Sequence, residues 1–232
     1  MIETFPMKFV DGHIIVSMRN KFDYLIDTGS PGSFGDGSPI MIAKRSFPIN
    51  DRDLTGITVD SVNGLSGLAV HGLIGMNILS HFDIKFTKNH LIFSDTPMME
   101  ENESTSIILP IIEVMSGIPI INLNIDGNDQ KIFLDTGAKI SYLSDDLLVD
   151  PSIGQLDDFH PSIGKYKTNI YHNNVKINER IHRFTFGSLP SPLKSLLVLS
   201  RTKGVIGTEL FQTYSVTLSN LTKALLLEPY EE

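Results

Sequence analysis

The amino-acid sequence predicts an all-β protein of two lobes related by an internal pseudo-twofold axis, with few and short helices. Three observations carry this. The stretch "YLIDTGS" at 24–30 returns as "IFLDTGA" at 132–138. Short runs such as "HIIVSM", "FDYLID", "DIKF" and "SVTL" alternate apolar and polar residues, the period of a strand with one buried face. The length, 232 residues, suits one large β domain or two units of roughly 100 to 120 residues, each able to bury a core.

The repeat extends beyond the two tripeptides. "GHIIVSM" (12–18) precedes the first and "GIPIINL" (117–123) the second. Gly12 lies 15 positions before Asp27 and Gly117 lies 18 before Asp135; the difference falls at "DGND", a good hairpin turn. Each lobe is therefore expected to start with a hairpin leading into Asp-Thr-Gly. Downstream, "GLIGMNILSHFDIKF" (72–86) aligns with "GVIGTELFQTYSVTL" (204–218). The second lobe has 24 extra residues between its two motifs.

Residues 1–97 form the first lobe in this reading, 98–106 the linker and 107–232 the second lobe. The linker is drawn at the polar, acidic "TPMMEENESTS", which has little to bury. Turns are expected at Asn63-Gly64 and near Asn173-Asn174. Ser144 with Asp145 and Asp146 can cap a brief helix at "DDLLV", which Pro151 stops. Another short helix is expected after each Ile-Gly, at "MNILSHF" and "TELFQTY".

Composition narrows the function classes. A net charge of −8 with no stripe of Lys and Arg argues against nucleic acid as a partner. The absence of cysteine excludes disulfides, thiolate metal sites and cysteine nucleophiles. Seven histidines lack the helical spacing of a zinc hydrolase, so neither a metal nor another cofactor is expected. No run reaches the length of a membrane span and the start lacks the pattern of a signal peptide, which makes a cytoplasmic protein without membrane contact the expectation.

Two β lobes that each present Asp-Thr-Gly on a loop imply that Asp27 and Asp135 meet at the pseudo-twofold axis, each lobe supplying half a site. Two carboxylates at contact distance cannot both ionise cheaply, so one keeps a proton. The pair titrates as one unit. Its ionised member can take a proton from a water between them while the protonated member hydrogen-bonds an amide carbonyl, which needs no covalent intermediate. Gly29 and Gly137 allow a tight turn whose amides reach the carboxylates, and Thr28 and Thr136 can hydrogen-bond across the lobe junction. Ser30 beside Asp27, against Ala138 beside Asp135, makes Asp27 the expected more readily ionised member.

These residues resemble the pepsin-like and retropepsin-like aspartic proteases over nearly the whole chain. "LIDTGS" and "FLDTGA" are similar to the family's catalytic loops, and the stretches holding Ile74-Gly75 and Ile206-Gly207 are similar to the strand and helix that brace them, with a bacterial retropepsin-like flavour. The resemblance implies the bilobal acid-protease β-barrel fold, hydrolysis of extended peptides between the lobes, and a hairpin flap. It also implies a monomer whose lobes pair within one chain, with a domain-swapped dimer as the alternative. Pepsin-like enzymes carry a flap Tyr in the first lobe, whereas no Tyr lies between Tyr24 and Tyr142 here. The flap candidate is "TVDSVNGLSGL" (58–68), with Asn63, Gly64 and Leu65 at its tip. The stretch 167–187 is read as an equivalent hairpin, a specificity loop or a surface insertion. A lone Asp-Thr-Gly is usually just a turn, and the duplication is what argues otherwise. The competing function is a catalytically inactive scaffold that binds peptides or proteins.

Overall fold

A computed structural model describes residues 1–98 and 106–230. Most of the linker at 98–106 therefore lies outside the described residues.

The chain opens with strand Ile2–Val10, whose burial alternates along its length as the period-two pattern requires. Asp11 and Gly12, both at positive φ, turn it into His13–Ser17, with Val10 opposite His13. Such a two-residue turn matches the twist of its strands. Strand Asp23–Ile26 follows, antiparallel to His13–Ser17 and parallel to Gly72–Ile74. Strand Phe34–Gly35 flanks Gly72–Ile74 on the other side.

The second lobe repeats this plan. Ser116 and Gly117, again at positive φ, turn Ile107–Met115 into Ile118–Ile125, and Asp126 and Gly127 join that strand to Asn128–Leu134. Asn128–Leu134 runs parallel to Gly204–Ile206, and Ser141–Leu143 flanks that strand in antiparallel fashion. Ile26 thus sits opposite Ile74 as Leu134 sits opposite Ile206.

One sheet joins the lobes. Asp83–Phe86 of the first pairs antiparallel with Tyr214–Ser219 of the second. His90–Ser94 and then Ile2–Val10 extend it on one side, and Ala224–Pro229 and then Ile107–Met115 on the other. The main core lies against this sheet and crosses the junction: Phe86 and Phe211 meet edge to face with centroids 4.8 Å apart, a favourable aromatic geometry.

Four α-helices occur among the described residues: α1 (Val59–Ser66), α2 (Met76–Leu79), α3 (Ser191–Ser200) and α4 (Glu209–Thr213). The last of the first lobe and the last of the second follow their Ile-Gly as expected. A 3-10 turn at Asp145–Leu147 stands at "DDLLV", with Ser144 at its N-cap position but making no capping bond. Helices α1 and α3 were not anticipated. Each covers the outer face of the sheet that carries its lobe's Asp-Thr-Gly, α1 through Val59 and Val62 on Leu25, Phe34 and Leu73, and α3 through Leu197 beside Ile120, Phe133 and Tyr142. None of the helices is long and apolar enough to cross a membrane.

The turn expected near Asn173-Asn174 is not there. Both residues lie inside the long strand Gly164–Ile177, where the Asn173 side chain donates through Nδ2 to Asp126 Oδ2 (2.7 Å) and to the Leu147 carbonyl (3.1 Å) instead of closing a turn. The chain reverses after Ile177, with Asn178 at positive φ, and returns as Arg180–Ser188. Of the three readings of 167–187, the hairpin is the one observed. On its other edge the long strand pairs with Gly154–His160, so the extra length of the second lobe forms a three-stranded ribbon.

Candidate active site

Each Asp-Thr-Gly loop begins where a buried strand ends. The Asp27 amide donates to the Ile74 carbonyl and the Asp135 amide to that of Ile206, both at 3.0 Å. Each carboxylate then accepts the amide two residues on, from Gly29 at 2.9 Å and from Gly137 at 2.8 Å. The loops interlock. The Thr28 amide donates to Thr136 Oγ1 (3.0 Å) and the Thr136 amide to Thr28 Oγ1 (2.9 Å). The two hydroxyls donate onward, Thr28 to the Leu134 carbonyl and Thr136 to that of Ile26, both at 2.8 Å.

This exchange brings the aspartates together. A Cβ built on Gly29 would lie 2.3 Å from the Asp135 carboxyl carbon, and one on Gly137 would lie 2.5 Å from that of Asp27. Each glycine is thus the surface against which the other lobe's carboxylate rests. The bracing glycines are set by close approach too: a Cβ on Gly75 would meet the Gly32 carbonyl at 2.2 Å, and one on Gly207 the Ala138 carbonyl at 2.5 Å. Ile74 and Ile206 are fully buried beneath.

Burial raises both carboxyls above the ordinary range of an aspartate, and the charge of Asp135 pushes Asp27 further up. The amides of Gly137, Ala138 and Gly29, with a hydrogen bond from Asp27, offset part of the rise at Asp135. The Ser30 hydroxyl, expected to favour the ion at Asp27, donates instead to the Gly32 carbonyl at 2.8 Å.

Two residues with parallel roles were missed. The Gly75 amide donates to Ser33 Oγ (2.8 Å) and the Gly207 amide to Ser141 Oγ (3.0 Å). Both serines lie six positions after their aspartate, a coincidence of offset that could have revealed them. Among the described residues no cluster of His, Asp or Glu is arranged to hold a metal ion.

The solved aspartic proteinase from Irpex lacteus matches over 100% of this chain and 98% of its own, with a TM-score of 0.55 and 13% sequence identity. The chain has the fold of an aspartic proteinase. A solved retropepsin-like aspartic protease from Rickettsia conorii aligns over 53% of this chain and 90% of its own, at 16% identity and a TM-score of 0.39. No family model matches the chain, and no curated protein does.

Within this acid-protease fold the expected first-lobe flap is corrected. Asn63, Gly64 and Leu65 lie in helix α1, not at a hairpin tip. Thr58 and Ser61 form a reciprocal capping box at its start and Gly67, at φ 75°, closes its end. The Asn63 side chain clamps the backbone of Val70, accepting from its amide (3.0 Å) and donating to its carbonyl (2.9 Å). Asn63→Ala is accordingly expected to cost about 1–2 kcal/mol of stability while kcat and KM of any peptidase activity stay within about twofold. Urea denaturation beside steady-state kinetics checks this, and a selective KM effect would restore the flap reading.

The hairpin beside the dyad belongs to the second lobe. Its strands Gly154–His160 and Gly164–Ile177 carry Asp158 and Tyr166, and Gly154–His160 also approaches α1 of the first lobe. Tyr142 hydrogen-bonds both Asp158 and the Tyr166 hydroxyl, the latter at 3.0 Å. Burial, with the charges of Asp158 and Asp135, pushes Tyr166 up to about 12, so its hydroxyl stays protonated and within the field of the dyad.

Proposed function

We propose that this protein is an aspartic endopeptidase that binds peptides in extended form between its lobes. The observation that supports this best is the reciprocal packing of Asp27 and Asp135 on Gly137 and Gly29. The ionised carboxylate removes a proton from a bound water as its oxygen attacks the scissile carbonyl carbon, and the protonated carboxyl hydrogen-bonds the carbonyl oxygen. The resulting tetrahedral diol collapses when a proton passes to the amide nitrogen, releasing an amine and a carboxylic acid. No covalent enzyme intermediate arises. Because the dyad must hold one proton, activity is expected to be greatest at acidic to mildly acidic pH.

The test is cleavage of a diverse peptide mixture between pH 3 and 7, read by mass spectrometry, for the wild type, Asp27→Asn and Asp135→Asn. Cuts made by the wild type and lost in both variants support a shared dyad. A folded wild type that cuts nothing favours the inactive peptide-binding scaffold.

A further inference from the structure

The two catalytic loops are not supported alike. The Asp11-Gly12 turn of the first lobe docks on the loop that carries Asp135: Asp11 pairs with Lys139 at 3.6 Å, and the Thr208 hydroxyl donates to the Gly12 carbonyl at 2.6 Å. Beside it His13, 2% exposed, places Nδ1 3.0 Å from the Gly137 carbonyl and its ring against Phe159 of the second-lobe hairpin. A carbonyl only accepts, so Nδ1 carries the proton. His13 Nε2 is buried and has no partner among the described residues.

The Gly137 carbonyl and the Ala138 N–H belong to one peptide unit, and that amide is one of those that stabilise the charge of Asp135. The corresponding turn of the second lobe, Ser116-Gly117, is followed by Ile118, whose side chain has no donor. Where Thr208 meets Gly12, Met76 meets Gly117, its Cβ 3.2 Å from a Cβ built there. Polar support from the opposite lobe thus reaches the Asp135 loop, while the Asp27 loop has apolar residues at the equivalent places.

We infer that His13 is a positioning residue which, by holding the Gly137–Ala138 peptide against Asp135 from the opposite lobe, makes Asp135 the general base and leaves the shared proton on Asp27. Nδ1–H donates from the neutral ring and from the imidazolium alike, so the support survives titration of His13 itself. The charged groups facing the ring are Asp158, Lys139 and Asp11. Burial lowers the ring's own basicity, which leaves Asp135 as the group through which the variant acts.

The kinetic half of the test rests on the peptidase reading, whereas carboxylate titration does not. By carbon-13 NMR of labelled aspartate, Asp135 is expected to ionise before Asp27 in the wild type. His13→Leu should raise the titration of Asp135 and erase that order. His13→Asn, whose amide replaces Nδ1–H, should restore it. In parallel, His13→Leu should lower kcat about tenfold with KM changed less than about threefold, shift the acid limb of the pH profile upward, and be rescued by His13→Asn. Should the leucine variant not fold, His13→Gln, whose donor sits at the ε position, serves as the second variant without the contact. Asp27 ionising first in the wild type, or an order unchanged by loss of the contact, overturns the inference. Wild-type titration as expected without any cleavage would sink the peptidase reading and leave this one standing, and cleavage with an order indifferent to His13 would do the reverse.

Discussion

Asp27→Asn is expected to lower peptide cleavage by about 10²–10⁴-fold and, at pH 7, to raise the melting temperature. The first effect follows from removing the acid that polarises the scissile carbonyl. The second follows from linkage. Burial and the charge of Asp135 hold the folded-state carboxyl of Asp27 well above its unfolded value, which is about 3.9. Between those two values the native state binds more protons than the unfolded state, so stability falls as pH rises. The favourable contribution is complete below the unfolded value and is lost as pH passes the folded one.

Asparagine has nothing to lose over that range, and its Oδ1 still accepts the Gly29 amide. The variant should therefore melt higher than the wild type at pH 7, with the advantage vanishing below about pH 4. Each kcal/mol is worth about 2–4 °C in a protein of this size. Thermal denaturation between pH 3 and 7 checks it, and a variant that melts lower at every pH would show that the buried pair does not strain the fold. Asp135→Asn should shift stability in the same direction, since burial raises that carboxyl as well.

Much of the dyad was legible because duplication made each copy a control for the other. Asp27 and Asp135 carry the same neighbours, and the Asp126-Gly127 turn announces the hairpin that leads to the second of them. The first-lobe helix was not legible. Asn63-Gly64 has hairpin chemistry taken alone, and the capping box that starts α1 closes with Ser61 in place of the usual Glu or Gln. Asn173-Asn174 failed for a related reason: its turn-forming amide is used in a contact with Asp126, 47 positions away. His13 was silent because its partner is a backbone carbonyl 124 positions distant, and no side-chain pattern records such a contact. Local chemistry thus located the halves of the site, and only tertiary packing disclosed how unlike their surroundings are.

The interlock of Thr28 and Thr136 is where the two halves become one molecule, and Thr28→Val should show what it contributes. Valine keeps the shape of threonine, so loss of packing is small. It removes a hydroxyl that accepts the Thr136 amide and donates to the Leu134 carbonyl, both in surroundings where Thr28 and Thr136 are fully buried. An orphaned buried group costs about 1–3 kcal/mol, and two are orphaned, so a loss of about 2–4 kcal/mol is expected. Thr136→Val should cost a similar amount, because it orphans the Thr28 amide and the Ile26 carbonyl. The double variant should depart from the sum, since the two side chains share one network and neighbouring deletions couple. Urea denaturation of the four proteins measures this. Additive losses would mean that the threonines anchor their own loops independently, whereas coupling would assign them to the junction itself. A junction so weakened also frees each lobe to seek another partner: light scattering should then find dimers in the double variant if lobes exchange between chains, and monomers with parted, inactive lobes if they do not.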